Sequence, residues 1–252
     1  MRERTPYKKR IQVAVNILSE VIKRGREITR SEAIELLRKT YEKQGLQPIR
    51  GKAFPPDIYD KELATIYVVG KYGLNLHEEY SDLFERIFYL EEAYERAIDY
   101  ILKNDYEVAR KILKENSITG VIDSNTIARM LRVPLTKFIL GFLNEEEFAK
   151  ILHKTREAVP EEESTVYKYV KFFIAFKLAE MIFKGEVKSK EYKEALKKAL
   201  AIRIGFPKAT PGDEYVKFIA ESVFELKEEE LENLLRKAEK PSKTPGEEKQ
   251  YP

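Results

Sequence analysis

An all-α fold is what this sequence predicts, and three observations carry the prediction. Apolar residues recur at three- and four-residue spacing along most of the 252-residue chain, the period of one helix face. Capping boxes and glycine stops divide those runs into separate helices. No segment alternates apolar with polar residues for long enough to propose a sheet, although residues 119–123 allow a brief extended pairing. The expected architecture is an irregular bundle of about eleven helices in two packed lobes, residues 1–116 and 117–240, with a disordered tail at 241–252.

The first helix is expected to begin at Thr5, with Pro6 in its first position, and to bury Ile11, Ala14, Val15, Leu18 and Ile22 before Gly25 stops it. Thr29 and Glu32 fit a capping box for the second, whose inward face is Ala33, Leu36, Leu37 and Tyr41, with Gly45 as the stop. The two make a helical hairpin. A proline-rich loop follows at 46–59, where Pro48, Pro55 and Pro56 forbid helix. A third helix, 60–72, opens on Asp60 as its cap and turns Leu63, Ile66, Tyr67 and Val69 or Gly70 inward. Glycine inside a helix costs about 1 kcal/mol relative to alanine, so Gly70 signals a close helix-to-helix contact.

A long amphipathic helix is expected over 81–103, with the stripe Leu83, Ile87, Leu90, Tyr94, Ala97 and Ile101. Asn104 and Glu107 suggest a capping box for the next. The stretch 117–124, SITGVIDS, breaks the pattern and marks the boundary between lobes. Beyond it the periodicity gives helices at 125–132, 135–142, 145–157, 164–184, 189–204, 213–224 and 227–240.

Composition bounds the function. There is no cysteine, which removes disulfides, thiol catalysis and thiolate metal sites. The most apolar run, from Val166, is interrupted by Lys168, Lys171, Lys177 and Glu180, so it reads as a core helix rather than a membrane span. With the charged amino terminus, the expected location is the cytoplasm. Charged residues make up 35% of the chain, mostly Lys, Arg and Glu, the enrichment found in hyperthermophile proteins. The net charge of +3 is unevenly spread: residues 1–30 hold nine Lys or Arg against three acids, whereas residues 61–116 hold eight against twelve. That basic end is either a solvated helix end or an attraction for an anionic partner.

Catalytic motifs are missing. Neither a GxxxxGK[ST] nor a GxGxxG loop occurs, and His77 and His153, outside any HExxH pattern, read as surface or helix-end residues. No cofactor or metal is therefore expected. The carboxylate runs at 145–147 and 161–163 lie where helices begin, which negative charge favours; a hydrolase or transferase with an unsignalled carboxylate pair is a third possibility. Residues 124–143 have the outline of a helix-turn-helix, but Phe138, Ile139, Leu140, Phe142 and Leu143 leave the second helix too apolar to read base edges, which favours a packed pair of core helices. Residues 97–113 are similar to a tetratricopeptide junction, yet the period of such arrays is absent.

The stretches KKRIQVAVNIL, RGKAFPPDIYDKELA and YVVGKYGL together resemble a domain-of-unknown-function family of hyperthermophilic archaeal helical proteins, over most of the chain except the tail. The resemblance implies an archaeal cytoplasmic protein and brings no catalytic residue with it.

The functional expectation is a non-enzymatic binding or scaffold protein. A protein partner would contact the proline loop through Arg50, Lys52, Phe54 and Tyr59; the structural alternative is that the prolines stiffen the loop and its aromatics tuck under it. The other functional reading is RNA or DNA bound by the basic amino-terminal hairpin through Lys8, Lys9, Arg10, Lys23, Arg24 and Arg26.

Overall fold

A computed structural model describes residues 7–24, 28–46, 59–116 and 122–162, and then 165, 166, 168–170, 173, 176 and 177. Side chains are described from Gln12 onward. Among these residues there are eight α-helices: α1 (Tyr7–Arg24), α2 (Arg30–Lys43), α3 (Asp60–Val68), α4 (Ser81–Leu102), α5 (Tyr106–Asn116), α6 (Ser124–Met130), α7 (Arg132–Ile139) and α8 (Glu145–Ala158). Strands are absent from the described residues, so the protein is all-α. The chain divides into two compact units, Met1–Val170 and Lys171–Pro252; all eight helices belong to the first. Of the expected helices beyond residue 163, those at 189–204, 213–224 and 227–240 lie outside the described residues, as does the tail.

The predicted caps form where local sequence alone specifies them. The Thr29 side chain accepts from the Glu32 amide while Glu32 reaches back to the Thr29 amide, and Gly45 leaves α2 with φ +63, the left-handed geometry that glycine adopts without strain. Ala33, Leu36, Leu37 and Tyr41 are buried, as expected. Asn144 and Glu147 close a second capping box at α8. One expected cap moves: Asn104 takes φ +61 and ends α4, since Asn tolerates that conformation. Asp105 then accepts from the Val108 amide at 3.4 Å.

α3 is the central element, packed against α1, α4 and α7. Its seven residues from Glu62 to Val68 are all buried, so no polar face remains for a simple amphipathic pattern to reveal. The continuous helix expected to residue 72 becomes a π-helical turn at Val69–Gly73. A Cβ on Gly70 would stand 2.7 Å from Phe84 of α4 and 3.4 Å from Leu18 of α1, which is the close contact the glycine signalled. Among the described side chains of α1 the buried ones are Val13, Ala14, Ile17, Leu18 and Val21, a stripe turned slightly from the expected one, whose Ile11 lies outside the described side chains. Two neighbours, α2 and α3, share its packing.

The outline of a helix-turn-helix resolves into packing. α6 begins on Asp123, which accepts from the Thr126 amide at 2.8 Å, and Leu131 alone separates it from α7. Within α7, Val133, Pro134, Thr136 and Phe138 are buried, and Phe138 stacks on Phe148 of α8 at 5.0 Å. A helix buried this way cannot enter a DNA groove. Among the described residues no helix is long and apolar enough to cross a membrane.

Candidate functional site

The residues nominated from sequence are only partly described. Arg50, Lys52, Phe54 and Arg26 lie outside the described residues. Tyr59 is 9% exposed, its ring edge-on to Tyr41 at 5.9 Å, and it belongs to the main core cluster. Lys8, Lys9 and Arg10 lie in the first turns of α1, and Lys23 and Arg24 are exposed at its end. Arg24 pairs with Glu20 at 2.7 Å. His77 and His153 each lie 3.2 Å from a carboxylate, Glu92 and Glu157 respectively. No group of three or more His, Cys, Asp or Glu able to hold a metal ion occurs among the described residues.

What the fold assembles instead is a cluster of guanidinium groups. Asp60, read from sequence as a cap, is the first residue of α3, while the cap position falls on Tyr59 without a side-chain hydrogen bond. The Asp60 carboxylate is drawn elsewhere: Arg132 of α7 donates to it at 2.5 Å, Arg129 of α6 lies at 3.4 Å and Arg30 of α2 at 3.7 Å. Arg30 also grips Glu91 of α4 with both terminal nitrogens, at 2.6 and 3.0 Å. Such a fork-to-carboxylate pair is among the stronger charge-assisted bonds.

Local backbone explains how Arg30 gets there. Thr29 caps α2 and fixes the direction of its first turn. On the other side α4 is broken at Phe88, whose φ −109 and ψ 19 are not helical. There the Arg30 Nη1 donates to the Ile87 carbonyl at 2.8 Å, a side chain inserted at a kink.

These groups line a pocket of about 170 Å³, whose walls are completed by Ile34, Ala64, Leu90 and Val133, with Tyr89 and Tyr94 beside the charges. The arginine side chains are only 13 to 18% exposed. Burial disfavours the charged form of Arg30, but Glu91 and Asp60 more than offset it and hold its pKa above the usual value. Burial likewise pushes the Tyr94 phenol up to about 12, so Tyr94 stays a neutral hydroxyl. Tyr89 is 47% exposed, with the Arg30 guanidinium 5.8 Å from its ring centre. Three guanidinium groups against two carboxylates give the described lining residues a net charge of 3 − 2 = +1. Guanidinium is a permanent cation at physiological pH, so these three groups can donate hydrogen bonds to anionic oxygen but do not themselves transfer protons.

One turn further along α4, Glu95 sits in a different setting. Tyr67 and Tyr72 each donate to it at 2.6 Å, Lys137 at 3.0 Å and Lys71 at 3.2 Å. Burial alone would raise its pKa, but Lys137, the two tyrosine hydroxyls and Lys71 bring it below the ordinary carboxylate value. Four donors saturate this carboxylate, and Lys137 also lies 4.0 Å from the Tyr72 ring centre.

A family model described as an uncharacterised protein conserved in archaea (DUF2192) matches residues 4–235. The chain belongs to that family. No curated protein and no solved structure gives a significant match, so for this DUF2192 member the site stands on its own geometry. None of Arg30, Asp60, Glu91, Arg129 and Arg132 was nominated as a site residue from sequence. The nearest signal was the pair of arginines in ARMLR, three residues apart at the α6–α7 junction and thus on one face.

Proposed function

We propose that this chain is a non-enzymatic binding protein whose arginine-lined pocket receives one anionic group of a larger partner. The observation that carries the reading is the convergence of Arg30, Arg129 and Arg132, from three helices, on one pocket. At about 170 Å³ the pocket is smaller than the roughly 300–1,000 Å³ of sites that enclose whole metabolites. It suits a phosphate or carboxylate presented on a polymer. Arg50, Lys52 and Phe54, and the basic residues Lys8, Lys9, Arg10, Lys23, Arg24 and Arg26, would supply further contacts to the same partner. The working environment in this reading is the cytoplasm of a heat-loving archaeon, supported by the Lys and Glu enrichment and the absence of cysteine.

The test is thermal unfolding with inorganic phosphate against chloride at matched ionic strength. Specific binding stabilises the folded state by mass action, so the expected result is a saturable rise in Tm with phosphate that shrinks in Arg129→Gln and persists in Arg38→Gln. Equal melting in the two salts, or an undiminished rise in Arg129→Gln, would overturn the reading.

A further inference from the structure

We infer that the partner is a single-stranded nucleic acid, with a backbone phosphate entering the pocket to meet Arg129 and Arg132 and a neighbouring base stacking on Tyr89. The inference rests on the anion-binding reading above and adds the chemistry that surrounds the pocket.

Tyr89 is among the most exposed large apolar side chains of the described residues, and it stands at the pocket wall rather than apart from it. Arg86, also exposed, precedes it by three residues on α4, on the other side of the break at Phe88. Glu32, at the start of α2, feels the positive charge of both Arg24 and Arg86, after the larger effect of its bonds to Thr29. The exposed Tyr89 ring at the pocket wall already has the Arg30 guanidinium against it. Cationic groups interleaved with an open aromatic platform are what a flexible strand uses: phosphates track the charge and bases stack on the ring, whatever their sequence.

Geometry chooses between nucleic acids. The Arg129 and Arg132 side chains are 18% and 14% exposed, recessed behind the pocket mouth. A duplex presents its phosphates on a convex, stiff surface with its bases stacked inside, whereas a single strand can push one phosphate inward and turn a base outward. The pocket volume admits a phosphate-sized group and leaves the base on Tyr89, outside. An acidic peptide would satisfy the arginines equally well but gives Tyr89 no comparable planar partner.

Fluorescence anisotropy of a short fluorescein-labelled uridine oligonucleotide, with the full chain and a series of salt concentrations, tests this. The expected result is binding that weakens as salt rises. Tyr89→Ala should weaken it roughly ten-fold, the scale of losing one stacked base, without changing the salt slope. Arg129→Gln should weaken it and flatten the slope by about 0.7, one phosphate contact on a single strand. Should Arg129→Gln prove unfolded, the exposed Arg86→Gln gives the same slope measurement. Phosphate stabilisation without oligonucleotide binding would overturn the inference and leave the anion pocket standing; failure of both probes would remove both. Indifference to Tyr89→Ala overturns the stacking model. Tighter binding of a duplex, or displacement of the oligonucleotide by a glutamate peptide of equal charge, overturns it in favour of a duplex or of an acidic protein.

Discussion

Glu91 and Glu95 occupy successive turns of α4, the first buried and the second half-buried in polar company, yet their surroundings differ in kind. Around Glu91 and Asp60 the cations are guanidinium groups, rigid and planar, with Arg30 on Glu91 and Arg129 and Arg132 on Asp60, and they line a pocket of about 170 Å³. Around Glu95 the donors are two phenols and two ammonium groups at 2.6 to 3.2 Å. The first cluster has room for a guest. The second is saturated, so its contribution is to hold α3, the π-helical turn and α7 against α4. Buried charge by itself therefore marks neither a site nor a strut; the balance of donors to acceptors and the space left over distinguish the two.

The sharpest way to break the contrast is Glu91→Gln. Arg30 would lose its bidentate partner while remaining buried, and removal of one partner of a buried pair costs about 3–5 kcal/mol. Asp60, at 3.7 Å, offsets part of this, so the expected loss is about 3 kcal/mol in a urea titration. The pocket lining would lose one negative charge, so the same variant should bind phosphate more tightly than the parent. Loss of stability together with loss of phosphate binding would place both clusters in one structural class.

Tyr67→Phe addresses the closed cluster. Tyr67 is fully buried and its hydroxyl serves a carboxylate, so the expected cost is about 2 kcal/mol, with no change in phosphate binding. The pH dependence follows from Glu95. Its folded pKa lies below the ordinary 4.5, so its stabilisation is fully present above that value and is lost as pH falls through the depressed one. Glu95→Gln should therefore flatten the acid limb of the stability profile below about pH 4.5. An unchanged limb would mean that Glu95 is not the group responsible.

Gly70→Ala is expected to act at the same end by packing. The added methyl would lie 2.7 Å from the Phe84 ring, an overpacking that costs about 1–3 kcal/mol, partly offset by the helix preference of alanine. A net loss of about 1 kcal/mol is expected by thermal unfolding, and a gain would show that the ring moves aside freely. Smallest of all is Arg38→Gln. Its pairs with Glu35 and Glu42 at 2.6 Å are exposed, and Arg38 holds Glu35 down to about 2, but solvent screens such pairs. The melting temperature should not move measurably.

Much of the framework was legible in the chain because its causes are local. Thr29 with Glu32, Gly45 and the stripe along α4 each need only neighbours within a turn or two, and Gly70 announced its contact by being a costly residue inside a helix. The family membership was legible as well, from stretches around residues 8, 51 and 67. Local rules misled where a residue had competing uses. Asp60 was read as a cap because it opens a helix, but three arginines from other helices outbid the backbone for its carboxylate. Asn104 was read as opening α5 when it closes α4. The π-helical turn at Val69–Gly73 was not legible because the apolar spacing up to residue 72 fits an α-helix equally well.

By itself, then, the sequence determined an all-α chain, its main helix boundaries and its lack of thiol chemistry, since periodicity, capping and composition are properties of short stretches. Only the tertiary structure decided the pocket. Arg30, Asp60, Glu91, Arg129 and Arg132 come from five helices, and nothing in the spacing along the chain says that α3 brings its first turn to the break in α4. Charge–charge energy depends on separation in space and on the dielectric around it, and both are set only once the helices have packed.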